Sequence, residues 1–361
     1  MAADTLSLSS LSSIPVSFAS CSLSSHPSHT LPAKLRALSS AGFTGIELSM
    51  PDLLSHASSL NSNREIPPDD YPTLCSAAKD VAALCAELGL EIMLLQPFAN
   101  FEAWPPQSKE RKEAFERAEG WISILQASGC KTLQVGSTDT PAEKLVRGKD
   151  GSVDRDVVVK DLQELAGMLE EKGCRLAYEN WCWSSHAPDW RDVWDIVRKV
   201  DRGNVGLCLD TFQTAGGEWA DPRTESGRVE GEGVEGRWKE SLEALGKEIP
   251  ADKIYLLQIS DAYKLEEPIT KEDEDGLRPR GRWSHDYRPL PGKGYLPVAE
   301  VAKAVLKTGF RGWFSYEVFD FPPWKKGKVD LDGYAQEAFA CQKTLVEECA
   351  DKGVGGAEDT L

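Results

Sequence analysis

Four apolar, β-like runs of this chain each carry a potential metal ligand at their far end. They read LAYEN with Glu179, GLCLD with Asp210, YLLQISD with Gln258 and WFSYE with Glu317. Three carboxylates and an amide converging where strands open into loops would repel one another unless a cation sat between them. Oxygen ligands of this kind suit a divalent ion such as Mg²⁺ or Mn²⁺, with Co²⁺ also compatible. An ion held this way polarises a carbonyl and its neighbouring hydroxyl. A lone carboxylate at a strand end is more simply a helix N-cap or a solvated loop residue. Four of them on four successive strands point to a site.

Other side chains could complete it. His285 lies in Ser284-His285-Asp286-Tyr287-Arg288, with Arg282 and Lys293 nearby. This cationic stretch stands out in an acidic chain. It suits a carboxylate substrate, which arginine grips through two parallel hydrogen bonds. The alternative is a solvated loop histidine. His26 and His29 follow the first strand run in a turn, so their side chains need not converge. His29 is a candidate substrate contact or a plain turn residue, and Thr30 is expected to cap the next helix. In LLQPFANFEAW, Gln96 ends a strand and Phe101 either walls a pocket or packs at the rim. Trp181, two residues past Glu179, either shields the site from water or packs in the core. Glu47 ends the GIELSM run as a substrate-facing or supporting group.

These residues need a frame, and a repeating rhythm supplies it. A helix-period segment ends at a glycine and a short β-like run follows, as in SAGFTGIELSM, ELGLEIMLLQPF, ASGCKTLQVGS, EKGCRLAYENW, DRGNVGLCLDTF and KTGFRGWFSYEVF. Gly42, Gly89, Gly129, Gly173, Gly203 and Gly309 suit the left-handed position that ends a helix. Strands are expected near 14–19, 45–50, 92–97, 132–136, 175–180, 205–210, 254–260 and 313–318. Their near-continuous apolar character fits parallel strands covered on both faces. Helical stripes such as Val158, Leu162, Leu165 and Leu169 separate them. Eight βα units define an α/β fold, a single-domain (β/α)8 TIM barrel over 14–350, whose site lies at the C-terminal strand ends. Residues 1–13 and 351–361 are expected to be disordered or flexible tails. Segments 51–70, 216–236 and 262–296 are expected to be loops.

Composition narrows the partners. The chain has 361 residues, 41% of them hydrophobic and 27% charged, with a formal net charge of −17. That charge argues against nucleic acid, whose phosphates need a basic surface. No apolar run is long enough to span a bilayer. The stretch MAADTLSLSSLSS lacks the Lys, Arg and apolar core of a targeting peptide. Nine scattered cysteines read as free thiols of a reducing compartment, so a cytoplasmic protein is expected. The partner expected is a small carboxylate substrate, and a homo-oligomer is left open.

With those residues in view, the chain resembles the xylose-isomerase-like TIM barrel superfamily, and within it the fungal 3-dehydroshikimate dehydratases of quinate and shikimate catabolism. The supporting stretches are LQPFANFEAWP, LQVGS, YENW, CLDTFQTAGGEWADP, LLQISDA, SHDYRPLPGKGYLPV and SYEVF. The resemblance implies a divalent metal on Glu179, Asp210, Gln258 and Glu317, and conversion of 3-dehydroshikimate to protocatechuate and water. It implies substrate contacts from Arg288, Arg282 and Ser284. Two places depart from the bacterial pattern, Ala99 where an arginine is usual and Gln213 where a catalytic histidine is usual. An amide is no general base. His285 is then the expected acid–base group, with Glu179 as the alternative. A sugar or inositol-type isomerase, epimerase or dehydratase, or a non-catalytic sugar-binding barrel, shares the same scaffold.

Overall fold

The computed structural model describes residues 6–24, 26, 28–270, 272, 276–321 and 329–351. The apolar runs become β1 (Val16–Ala19), β2 (Gly45–Ser49), β3 (Glu91–Phe98), β4 (Thr132–Gly136), β5 (Arg175–Glu179), β6 (Val205–Asp210), β7 (Ile254–Ile259), β8 (Tyr287–Arg288), β9 (Trp313–Tyr316) and β10 (Phe319–Asp320). The order β1-β2-β3-β4-β5-β6-β7-β9 closes into an all-parallel barrel. Strands β8 and β10 stand apart as a two-stranded antiparallel sheet. Helices cover the barrel, so the strands are buried on both faces and need no polar alternation.

Period-two alternation sets what lies inside. Ala177, Cys208 and Leu256 precede Glu179, Asp210 and Gln258 by two residues and therefore share their face. With Met93, Leu94 and Tyr255 they form a compact apolar cluster separate from the main core. The bore is thus sealed by apolar side chains one layer below the ligand candidates. Pairing of β6 with β7 sets Asp210 level with Gln258, and pairing of β4 with β5 sets Gly136 level with Glu179.

Several expectations need correction. Five of the six glycines adopt positive φ, but the fifth helix-to-strand break, ahead of β6, uses Asp201, at φ 50°, in place of Gly203. Residues Met50–Leu60 form a helix, not a loop, capped by Ser49. Within 216–236 the helix Thr211–Glu218 persists to its end and the helix Val234–Glu248 begins. The segment 262–296 contains the helix Pro279–Asp286 as well as β8. Thr30 occupies the N-cap position of Leu31–Ala41, yet its side chain makes no capping bond. Residues 6–13 are not a loose tail: Leu6 and Leu11 are buried, and the Leu6 amide donates to Asp351 Oδ2 at 3.0 Å. Residues 1–5 and 352–361, the rest of the expected tails, lie outside the described residues.

One carboxylate governs the segment after β7. Asp261 accepts backbone N–H bonds from Ala262, Gly292, Gly294 and Leu296, at 2.7 to 3.1 Å. Backbone bonds Asp261 to Pro289, Tyr263 to Tyr287 and Tyr295 to Ala262 close the same neck. A Cβ on Gly294 would sit 2.1 Å from the Ala262 carbonyl oxygen, so only glycine fits there.

Candidate metal centre

Glu179, Asp210 and Glu317 each bring one carboxylate oxygen within 4.8 Å of the others. All three are buried, as is Gln258. Their remaining atoms are held from outside the cluster. Asp210 Oδ1 caps the helix Thr211–Glu218 through the Phe212 and Gln213 amides, so this residue is an N-cap and a ligand candidate at once. Asp210 Oδ2 accepts from Arg288. Glu317 accepts from Arg288 Nη1 at 2.9 Å and from Gln96 Nε2 at 3.2 Å. Glu179 Oε2 accepts from Gln134 and, at 3.2 Å, from Trp181 Nε1. Gln258 donates its amide to Glu47 Oε2 at 2.9 Å.

Among the four ligand candidates two acceptors are left over. Glu179 Oε1 and Gln258 Oε1 are buried and have no hydrogen-bond partner. Buried oxygens are nearly always satisfied, and a cation or water at the cluster would satisfy these two. Three converging carboxylates plus a free amide oxygen fit a divalent ion with oxygen preference.

The electrostatics agree. Four carboxylates, counting Glu47, are buried together, and the Arg288 guanidinium contacts two of them, Asp210 and Glu317. Burial raises Glu47 to about 8, helped by the Glu317 charge. Burial raises Glu317 to about 7, with Arg288 opposing and Asp210 adding. Burial and the charges of Glu317 and Asp210 push Glu179 well up, and burial lifts Asp210 against the pull of Arg288. A carboxyl raised on folding binds its proton more tightly in the folded state. Its stabilisation is full below the unfolded value, about 4.3 for Glu, and is lost as pH rises through the folded value. Chelated protein is therefore expected to melt at progressively lower temperature from about pH 5 to pH 8. Excess Mn²⁺ should flatten that slope, because a cation favours the ionised form. A chelated melting temperature that rises over this window would contradict the assignment.

The remaining candidates distribute unevenly. Arg288 is not a free clamp for a substrate carboxylate. It is 1% exposed, and its Nε donates to Ser260 Oγ at 2.9 Å while both terminal nitrogens engage Asp210 and Glu317. Strand β8 aims it inward, a direction set by pairing with β10 that local sequence does not announce. Ser284 is likewise buried and accepts from Arg288 at 3.3 Å. His285 sits on the last turn of the helix Pro279–Asp286, with its side chain 62% exposed. Its Nδ1 pairs with Asp286 at 2.8 Å, and its ring stacks on Phe319 and Phe321. With Arg282, Tyr263, Lys264 and Tyr287 it lines a cavity of about 970 Å³. His29 is buried and bonded through Nδ1 to Ser24, 5.3 Å from the His26 ring. Phe101 is a correction: it is fully buried against Phe98 and Phe115, on the helix side. Gln213 is buried too, its carbonyl oxygen taken by the Cys182 amide at 2.9 Å. Trp181 stacks on Trp183 and lies where a Cβ on Gly136 would fall, 2.3 Å away. Gln134 and Ser260 were missed. A glutamine inside the apolar run TLQVG was the available signal for the first.

Comparison with known proteins places this arrangement. Residues 35–345 match the family model for xylose isomerase-like TIM barrels, and the chain belongs to that family. It is similar to a 3-dehydroshikimate dehydratase of Neurospora crassa, 32% identical over 303 residues, which span 81% of this chain and 82% of that protein. A 3-dehydroshikimate dehydratase of Pseudomonas aeruginosa is 32% identical over 293 residues, 81% of this chain but 37% of that longer protein. Among solved structures, a xylose isomerase-like TIM barrel/4-hydroxyphenylpyruvate dioxygenase fusion protein superposes with a TM-score of 0.66 at 27% identity. It covers 91% of this chain and 42% of the fusion. No helix among the described residues is long and apolar enough to cross a membrane.

Proposed function

We propose that this chain is a hydro-lyase that dehydrates 3-dehydroshikimate to protocatechuate, with a divalent metal on Glu179, Asp210, Gln258 and Glu317. The observation that carries the metal is the buried carboxylate triad with unpaired oxygens on Glu179 and Gln258. The observation that favours this substrate is similarity to the Neurospora enzyme over four-fifths of both chains.

A bound ion would supply Lewis acidity toward a ketone and the hydroxyl beside it. The chain must do the rest. Gln134, Trp181, Gln96 and Arg288 hold the ligand carboxylates in one orientation. The apolar layer beneath keeps water from entering through the bore. One group must take a proton from a ring carbon beside the ketone. Another must give one to the departing β-hydroxyl, so that water leaves, and a keto–enol proton shift in the resulting dienone then makes the ring aromatic. Glu47 serves on the barrel side, buried and bonded to Gln258. His285 serves on the cavity side, with an imidazole that can both take and give a proton. Arg282 and Lys264 are the cations of that cavity, beside the acids Glu266, Glu267 and Asp286, and they would be the groups to meet a substrate carboxylate.

The test is ultraviolet detection of protocatechuate from 3-dehydroshikimate after chelation and readdition of Mg²⁺, Mn²⁺ or Co²⁺. Product is expected only with metal. Faster turnover of a neutral sugar would replace this reading with an isomerase. In the same assay Glu47→Gln and His285→Ala each should lose about two to four powers of ten in kcat. A near-normal rate in either removes that residue from proton transfer.

A further inference from the structure

Behind the ligand cluster lies a second buried acid that the proposed reaction does not use. Glu102 follows β3 in the loop NFEAW and is fully buried. Its Oε1 accepts three bonds, from the Thr138 amide at 2.8 Å, Tyr178 Oη at 3.0 Å and His186 Nε2 at 3.0 Å. Each donor comes from a different place. Thr138 leaves β4, Tyr178 is the residue before Glu179 on β5, and His186 closes the loop after β5. One oxygen therefore ties together the three loops that leave β3, β4 and β5.

Those three strands and loops carry Gln96, Gln134 and Trp181, two of which grip Glu179 and the third Glu317. Tyr178 and Glu179 are adjacent on one strand and so point to opposite faces. Fixing the Tyr178 hydroxyl outside fixes the tilt of Glu179 inside.

The loop bearing Glu102 is itself over-determined. Asn100 and Ala103 both hold positive φ, 53° and 67°, a conformation that non-glycine residues adopt only when their surroundings require it. Arg117 donates to the carbonyls of Ala99 and Asn100, Asp161 accepts from the Ala103 amide, and Asn100 Oδ1 accepts from Thr138 and Thr140. Burial pushes the Glu102 carboxyl up, but His186 and the Thr138 amide outweigh it and hold the group below its usual range. An ionised carboxylate can only accept, so His186 Nε2 carries the proton.

We propose that Glu102 is a positioning residue for the metal centre, aiming Glu179 by gathering Tyr178, Thr138 and His186 on one oxygen. The proposal rests on the metal reading above. It assigns Glu102 no contact with substrate or ion. Partners that orient metal ligands commonly change affinity ten- to a hundredfold when removed.

Two measurements on full-length Glu102→Gln and on the milder Tyr178→Phe test it. The first is hydrogen exchange with peptide resolution. Residues 136–140 and 180–187 should exchange faster, while 205–210 should stay as protected as in the parent. The second is Mn²⁺ affinity by calorimetry. It should fall about ten- to a hundredfold in Glu102→Gln and less in Tyr178→Phe. Unchanged exchange in both windows would overturn the proposal. So would local loosening with parental Mn²⁺ affinity, which would leave Glu102 a purely structural tie. A parent protein that binds no Mn²⁺ would sink the metal reading itself, and local loosening in the variants would then show that the failure lies there and not in the tie between loops. Should Glu102→Gln not fold, Tyr178→Phe alone decides, since it removes one hydroxyl and no charge.

Discussion

Glu317→Gln is expected to lower kcat/KM for 3-dehydroshikimate by about three powers of ten, the scale of several kcal/mol of lost charge stabilisation. The side chain keeps its length, so the loss isolates charge from shape. Its new amide group must also face a donor, either Gln96 Nε2 or Arg288 Nη1. No rotamer satisfies both, because each partner only donates there. Mn²⁺ affinity by calorimetry should fall with activity, by about a hundredfold or more. Full turnover by a preparation shown free of metal would end the metal-dependent account, whatever the variant does.

Arg288→Ala is expected to destabilise chelated protein by about 3–5 kcal/mol, the usual result of removing one partner from a buried ion pair. The guanidinium contacts Asp210 and Glu317 and lies over Phe212 at 4.8 Å. Without it the carboxylates face each other across a low-dielectric space. A divalent ion in excess should restore part of the loss by mass action, about 2.7 kcal/mol at a hundred times its dissociation constant. Thermal melts in chelator and in Mn²⁺ therefore should diverge more for the variant than for the parent. If Arg288 instead held the substrate carboxylate, the variant would melt like the parent in chelator and differ only in KM.

The contrast between Arg288 and Asp210 shows what local sequence can and cannot display. Asp210 ends a six-residue apolar run, and parallel strands in a barrel all open at one end, so its position followed from the pattern alone. The same logic placed Glu179, Gln258 and Glu317 at strand ends, and the eight-strand count with them. Arg288 lies in a two-residue strand whose direction depends on Phe319 and Asp320, thirty residues away. Nothing around SHDYR encodes that pairing, and a cationic stretch reads as solvated until the fold buries part of it. Phe101 failed for a related reason. An aromatic residue after a strand can face either layer, and contacts with Phe115 from a distant helix decide which. Residues 51–60 read as loop because Pro51 and several serines suppress helical pattern, although proline in the first turn and Ser49 as cap favour a helix start.

The neck at Asp261 has a consequence for how this scaffold can diversify. Its carboxylate and three backbone bonds fasten residues 261–263 to 287–296, whatever lies between. The enclosed stretch from Lys264 to Asp286 is a cassette with its two ends clamped shut. It furnishes most of the cavity wall, Arg282 and His285 included. Length changes in its first part, ahead of the helix Pro279–Asp286, leave β7 and the helix Val298–Lys307 anchored as before, whereas Trp283 and Ser284 in that helix are packed into the fold. Loop closure adds only about 0.6 kcal/mol for each doubling of length. Under the function proposed above, substrate preference can drift in this cassette while the carboxylate cluster at the strand ends stays where the barrel puts it.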